Sequence, residues 1–259
     1  MAAFRVKVSA VYKVLAPARL SLSFARRSMK TIALLIIGAC LLSQVAWAER
    51  PMNELPMYGG KAKSNCIVNT DDRLIDWATR EFGSRELASK DAASRGWKAY
   101  YQGDFDTAIK RFNQGWMFDR ENPEVYWGFG LIMGQRASQE DPESSLKESI
   151  RFLEMANDRA PEDGRIIGDL AFSHTILGHF FQSYGTNDRK AQEHFGIAGE
   201  LFSKAFNKTP NYPPIVANWS IFYFYTGDYQ QAKNKADEAI LSGYQFSPDY
   251  IKELADNLK

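Results

Sequence analysis

The chain contains few residues suited to catalysis or to metal binding. It holds only two cysteines and three histidines in 259 residues. His174 and His179 are five residues apart, about 140° around a helix, whereas zinc-binding pairs on one helix are four apart. His194 lies on another predicted helix, and the sequence has no nucleophile-elbow, phosphate-loop or H-E-x-x-H motif. We therefore expect a protein that is not an enzyme and that uses no metal and no cofactor.

The two cysteines limit disulfide bonding. If Cys40 is removed with the leader described below, Cys66 is the only thiol of the mature chain and can form no intramolecular disulfide. The local sequence Ser-Asn-Cys-Ile-Val offers no group that would stabilise a thiolate. The expected state of Cys66 is an inert, partly buried thiol.

Acidic residues are missing from the first 48 positions, which hold seven basic residues. The chain has 32 basic residues, so 25 remain in residues 49–259 against all 31 acidic ones, a net charge of −6. A body of that sign does not attract phosphate backbones, so we expect no nucleic acid partner. Glu121 and Glu124 lie beside a predicted turn, where hydration accounts for them.

A short apolar segment follows Met29. A basic start, an apolar stretch over residues 32–42 and small residues at Ala46 and Ala48 are the parts of a secretory signal peptide. We expect cleavage after Ala48, so that residues 1–48 are removed and no membrane span remains. The apolar run is shorter than the roughly 20 residues that a spanning helix needs.

Other interpretations of this terminus stay open. Cys40 ends a sequence similar to a lipoprotein cleavage site, which would anchor the protein through a lipid. Arg26-Arg27 is similar to a twin-arginine signal, and residues 1–28 have the composition of a mitochondrial transit peptide. Alternatively, Met29 is the true start and residues 1–28 are an over-extended reading frame.

Two segments of the chain superimpose. Ala99–Ala108 and Tyr223–Ala232 share a Gly-Asp-aromatic core, with Gly103-Asp104 matching Gly227-Asp228. A glycine after a helix adopts the left-handed conformation, and the following aspartate caps the next helix. Both segments therefore predict a helix, a tight turn and a second helix.

This pattern resembles the tetratricopeptide repeat (TPR), a 34-residue helical hairpin. The resemblance covers about residues 89–242, with insertions near Ser138 and between Gly178 and Ala198 that predict longer helices in the third unit. It implies an all-α, right-handed superhelix of about four TPR-like hairpins. We expect capping helices at 68–88 and 243–259, and an extended arm at 49–67 that is either a loose tether or lies along the repeats.

The resemblance also implies a concave groove. The positions that line it in this family correspond here to an apolar and aromatic set. Its members are Trp97, Tyr100, Tyr101, Trp127, Leu131, Asp169, Phe172, Asn218, Phe224 and Tyr225. Aromatic residues at helical spacing also occur as ordinary core, and this interpretation stays open. The carboxylate-binding clamp of some family members is disfavoured, because Lys90 and Arg165 are the only cations at its positions.

These features favour an exported, non-catalytic TPR scaffold of the bacterial cell envelope, in the periplasm, that binds a protein or peptide in its groove. An alternative is a protein that binds a small molecule or a glycan such as peptidoglycan through the groove aromatics. A third is an accessory domain of a hydrolase. The sequence sets no oligomeric state.

Overall fold

A computed structural model describes residues 50–60, 65–138, 141–185 and 187–259. For residues 65–67 the description covers the backbone alone. The predicted signal peptide, residues 1–48, lies outside the described residues. Residues Met52–Lys259 fall in one compact unit. None of the described helices is both long and apolar enough to cross a membrane.

The described part of the chain contains ten α-helices and no strand. They are α1 (Asn65–Phe82), α2 (Arg85–Tyr101), α3 (Phe105–Phe118), α4 (Pro123–Arg136), α5 (Pro142–Arg159), α6 (Gly164–Ser183), α7 (Asp188–Lys208), α8 (Pro213–Tyr225), α9 (Tyr229–Leu241) and α10 (Pro248–Asn257). Sequence neighbours pack as hairpins: α2 with α3, α4 with α5, α6 with α7 and α8 with α9. The predicted all-α helical-repeat fold is confirmed.

The two matching turns form as their sequences predict. Gly103 and Gly227 have positive φ angles of 79° and 83°. The side chain of Asp104 then accepts a hydrogen bond from the backbone N–H of Thr107, and Asp228 does the same at the start of α9. A left-handed glycine and a capping aspartate therefore build the same bend in the first and fourth hairpins.

The hairpins approach one another closely where side chains are small. Phe112 on α3 is fully buried, and a Cβ added at Gly96 or Gly128 would lie 2.7 Å or 2.3 Å from its ring. Ala108 and Ala232 have no exposed surface. The ring of Phe112 therefore occupies the space that two glycines leave open on α2 and α4.

The ends of the repeat array are covered by α1 and α10. Ala78 of α1 packs on Ala88 and Ala92 of α2, and Leu254 of α10 packs on Ala232 and Ala236 of α9. The N-terminal cap differs from the predicted 68–88, since α1 begins at Asn65 and ends at Phe82. The left-handed Gly83 ends it, and Ser84 caps α2 by accepting from the N–H of Leu87.

The described part of the predicted extended arm is not extended. Residues Met52–Glu54 form a short 3₁₀ turn, and Pro56–Gly60 form a second turn in which Met57, Tyr58 and Gly59 have positive φ angles of 51°, 57° and 68°. Asn113 on α3, fully buried, donates its amide N–H groups to the carbonyls of Asn53 and Leu55 at 3.0 and 2.9 Å. The buried Arg136 donates to the carbonyl of Glu54 at 3.1 Å. Of the two open interpretations, the arm lies along the repeats.

Candidate ligand-binding site

A line of side chains connects the first helices of three consecutive hairpins. The rings of Trp97 on α2 and Trp127 on α4 are 4.7 Å apart and inclined by 62°. Trp127 donates its indole N–H to a carboxylate oxygen of Asp169 on α6 at 2.8 Å. Because each helix is the first of its hairpin, the repeat places these residues side by side.

A second carboxylate contacts the same line. Trp97 donates its indole N–H to Oε2 of Glu124 at 2.6 Å. Burial is the main influence on Glu124, and it raises the pKa of the carboxyl above its ordinary value, although the hydrogen bond from Trp97 opposes the rise. Glu124 therefore belongs to the site, whereas its position beside a turn predicted only a hydrated surface residue.

Arg165 is the cation of this region. Its guanidinium makes a two-point contact with the carboxylate of Asp163, at 3.0 and 2.6 Å. It lies 3.7 Å from Glu124 and 4.9 Å from the centre of the Trp127 ring. The described ion pairs of Arg165 join it to Asp163 and Glu124, and none joins it to Asp169.

The charge of Asp169 influences the pKa of four tyrosines. Burial and, next to it, the negative charge of Asp169 raise the pKa of four phenols, which come from α2, from the residue before α8 and from the segment after α9. They are Tyr100, Tyr101, Tyr212 and Tyr244. Burial also raises the pKa of Asp169 itself to about 7, despite the hydrogen bond from Trp127. The site therefore holds a carboxylate that has lost water and has gained only one hydrogen-bond donor.

We call this group the aromatic–acidic cluster. Its members are Trp97, Tyr100, Tyr101, Glu124, Trp127, Asp163, Arg165, Asp169, Tyr212 and Tyr244. Tyr101 is the most open of the aromatic members at 67% exposure, and its ring stacks on Trp97 with 6.1 Å between centroids. Trp97, Asp169 and Tyr212 are half-buried. The cluster therefore presents an aromatic surface with carboxylates behind it.

Three residues that were expected to line the groove are buried instead. Trp127, Leu131 and Phe172 are 5%, 9% and 4% exposed and belong to the main hydrophobic core. The helices α4 and α6 carry apolar residues around most of their circumference, so both are enclosed by their neighbours. Trp127 still reaches the site through its indole N–H.

The remaining predicted residues, Asn218, Phe224 and Tyr225, lie on α8. Tyr225 stacks on His179 at 3.8 Å between ring centres, and the ring of Phe224 contacts Tyr229 and Tyr250. Asn218 is half-buried on α8. The described ring contacts of Phe224 and Tyr225 are therefore with each other and with His179, Tyr229 and Tyr250.

Two of the histidines meet, which the sequence analysis did not anticipate. The Nδ1 atoms of His174 on α6 and His194 on α7 are 2.9 Å apart and share one hydrogen bond. Burial and the neighbouring His194 lower the pKa of His174 to about 4, so the pair is neutral at pH 7. The described residues contain no group of three or more His, Cys, Asp or Glu side chains placed to hold a metal ion.

Two surface cavities lie beside the arm rather than at the cluster. They measure about 340 and 640 Å³, and Tyr58 of the arm lines both. Compared with known protein families and with curated proteins, the sequence matches none.

Proposed function

We propose that the protein is an exported, non-catalytic scaffold of the bacterial cell envelope, in the periplasm, which binds a protein or peptide partner at the aromatic–acidic cluster. The observation that carries this proposal is the contact line from Trp97 through Trp127 to Asp169, which crosses three hairpins. A surface shared by three repeats suits an elongated ligand. Tryptophan, tyrosine and arginine are also the residues that dominate binding energy at protein interfaces.

A peptide ligand accounts for the cluster better than a glycan does. A sugar that stacks on tryptophan needs an open ring face, and Trp127 is only 5% exposed. The indole N–H groups of Trp97 and Trp127 already donate to carboxylates of the protein. Glycan binding would then depend on Tyr101 and the half-buried face of Trp97 alone.

The proposal can be tested with a photo-reactive residue in place of Tyr101. Tyr184, in the turn after α6, is a matched control because it is 63% exposed against 67% for Tyr101. We expect crosslinking in intact cells from position 101 and not from 184. The captured protein is then purified, and Trp97→Ala is expected to weaken its binding. Equal crosslinking from both positions, or none from 101, would contradict the proposal.

The compartment has its own test. The protein isolated from its native host is expected to begin at Glu49, which is the residue after the predicted cleavage point. A mature chain that begins at Met1 or Met29 would contradict export through this signal, and one that begins at a lipidated Cys40 would establish the anchored alternative.

A further inference from the structure

The aromatic–acidic cluster has more negative than positive charge. Three carboxylates belong to it, those of Glu124, Asp163 and Asp169, against the single guanidinium of Arg165. Asp163 engages that guanidinium through both of its oxygens. Arg165 therefore forms its ion pairs with Asp163 and Glu124. Among the described residues, Asp169 forms no ion pair.

The surroundings of Asp169 are aromatic. Its carboxylate accepts from Trp127 at 2.8 Å, the Trp127 ring lies 4.7 Å from that of Trp97, and the ring of Tyr101 stacks on Trp97. Aromatic faces attract cations, and a carboxylate next to such faces adds the attraction of opposite charge for an ammonium group. A half-buried carboxylate is also stabilised when a cation replaces the water it has lost.

We propose that the aromatic–acidic cluster binds the ammonium group of a lysine side chain on the partner, so that the ligand is a basic peptide segment. This inference rests on the proposed function and adds the chemical class of the ligand. The alkyl part of the lysine packs on the exposed faces of Tyr101 and Trp97, and its charge points toward Asp169. An acidic segment is disfavoured, because it would bring further negative charge to three carboxylates.

Charge complementarity distinguishes this site from a general apolar surface. The two tryptophans use their N–H groups to hold Glu124 and Asp169, which fixes the position of both carboxylates before a ligand arrives. Fixed carboxylates select ligands by charge, since a neutral side chain would leave their loss of hydration uncompensated.

The test uses a short peptide of alternating glycine and lysine, with the same peptide acetylated on every lysine as the matched ligand. Both are titrated into the purified protein by calorimetry at low salt. We expect the lysine peptide to bind and the acetylated peptide to bind at least about tenfold more weakly, which corresponds to about 1.4 kcal/mol. Absence of binding by the lysine peptide, or equal binding of the two, would overturn the inference.

A pair of double variants separates the site from the negative charge of the whole protein. Glu124→Gln with Asp169→Asn removes two charges at the cluster while the new side chains can still accept from both indoles. Glu143→Gln with Glu148→Gln removes two charges from the exposed face of α5, where these residues pair with Lys147 and Arg151. We expect about a tenfold loss of affinity in the first variant and less than twofold in the second. Equal losses would show general attraction and overturn the inference, and thermal melting checks that both variants fold.

A variant of Arg165 provides an independent test. Its guanidinium lies over the Trp127 ring and beside Glu124, so it repels an incoming ammonium group. Arg165→Gln is expected to strengthen binding of the lysine peptide. Unchanged or weaker binding would show that Arg165 does not oppose the ammonium group, which would overturn the inference.

The two proposals fail in different ways. If a partner crosslinks at position 101 but the double variant at the cluster binds it normally, the lysine inference is wrong and the scaffold proposal stands. If position 101 captures nothing, the scaffold proposal fails, whatever the peptide titrations show.

Discussion

Trp127 and Asp169 are 42 positions apart in the sequence and joined by a hydrogen bond of 2.8 Å between their side chains. The contact links the second hairpin to the third at the site that we propose binds a partner. Trp127 is buried in the core and Asp169 is half-buried, so a buried indole fixes one oxygen of a carboxylate that keeps part of its exposure to solvent.

Asp169→Asn is expected to change how stability depends on pH. The pKa of Asp169 is about 7 in the folded protein and 3.8 for an ordinary aspartate. Between these two values the Asp169 carboxyl keeps its proton in the folded protein and loses it in the unfolded chain. The stability that this proton contributes to the fold is therefore fully present below about pH 4 and is lost as the pH rises through 7. Asparagine does not titrate, so the variant should gain stability relative to wild type as pH rises, on the order of 4 kcal/mol by pH 8, at about 1.4 kcal/mol for each pH unit between the two pKa values.

Thermal melts of both proteins at pH 4, 6 and 8 measure this difference. The other titratable groups that face Asp169 keep one protonation state across this pH range in both proteins. Tyr100, Tyr101, Tyr212 and Tyr244 stay neutral because their pKa values are raised above the ordinary value of 10, and Asp163 and Arg165 stay charged because the pKa of the first is lowered and that of the second is raised. A difference in melting temperature that stays constant across pH would show that Asp169 is not desolvated.

The histidine pair predicts the opposite slope. Burial lowers the pKa of His174 to about 4, below the 6.5 of an ordinary histidine, so its contribution is present above pH 6.5 and lost as pH falls toward 4. His174→Gln keeps a hydrogen-bonding group beside His194 but does not titrate. We expect the variant to lose less stability than wild type between pH 7 and pH 4, measured by urea unfolding. Parallel losses in the two proteins would contradict the buried, neutral pair.

Two glycines test the close packing of the repeats. In Gly128→Ala, the new Cβ would lie 2.3 Å from the buried ring of Phe112, and we expect a loss of about 1–3 kcal/mol. Gly196→Ala on α7 is the matched control, since no atom lies within 4 Å of its new Cβ. There the helix should gain roughly 0.5–1 kcal/mol from the lower flexibility of alanine. Equal effects on the free energy of unfolding would mean that α4 and Phe112 do not meet as described.

The arm along the repeats depends on a buried amide. Asn113→Ala removes both side-chain hydrogen bonds to the carbonyls of Asn53 and Leu55. We expect chymotrypsin to cut after Tyr58 about tenfold faster, because local opening of the arm becomes easier. Asn234→Ala, on the exposed face of α9, should leave the rate unchanged. An unchanged rate in Asn113→Ala would show that these bonds do not hold the arm.

Much of the fold could be predicted because its signals are local. Gly103-Asp104 and Gly227-Asp228 each specify a turn within a few residues, and the structure forms both. The third hairpin has long helices, of 20 and 21 residues, as its insertion indicated.

The site was harder to predict because it depends on distant contacts. Repeat spacing placed Trp97, Trp127 and Asp169 on one surface, but it could not show that α4 is enclosed and Trp127 buried. Tyr212 and Tyr244 lie outside the first helices of the hairpins, so no repeat position pointed to them. Glu124 lies next to a helix start, where an acidic residue is also expected for local reasons.

The most direct test of the account is the pKa of the Asp169 carboxyl, measured by nuclear magnetic resonance with and without the lysine peptide. In the free protein we expect a value of about 7. Bound peptide should lower it clearly, because a nearby ammonium group favours the charged carboxylate. A carboxyl with an ordinary pKa in the free protein, or one whose pKa does not change when the peptide binds, would contradict the account.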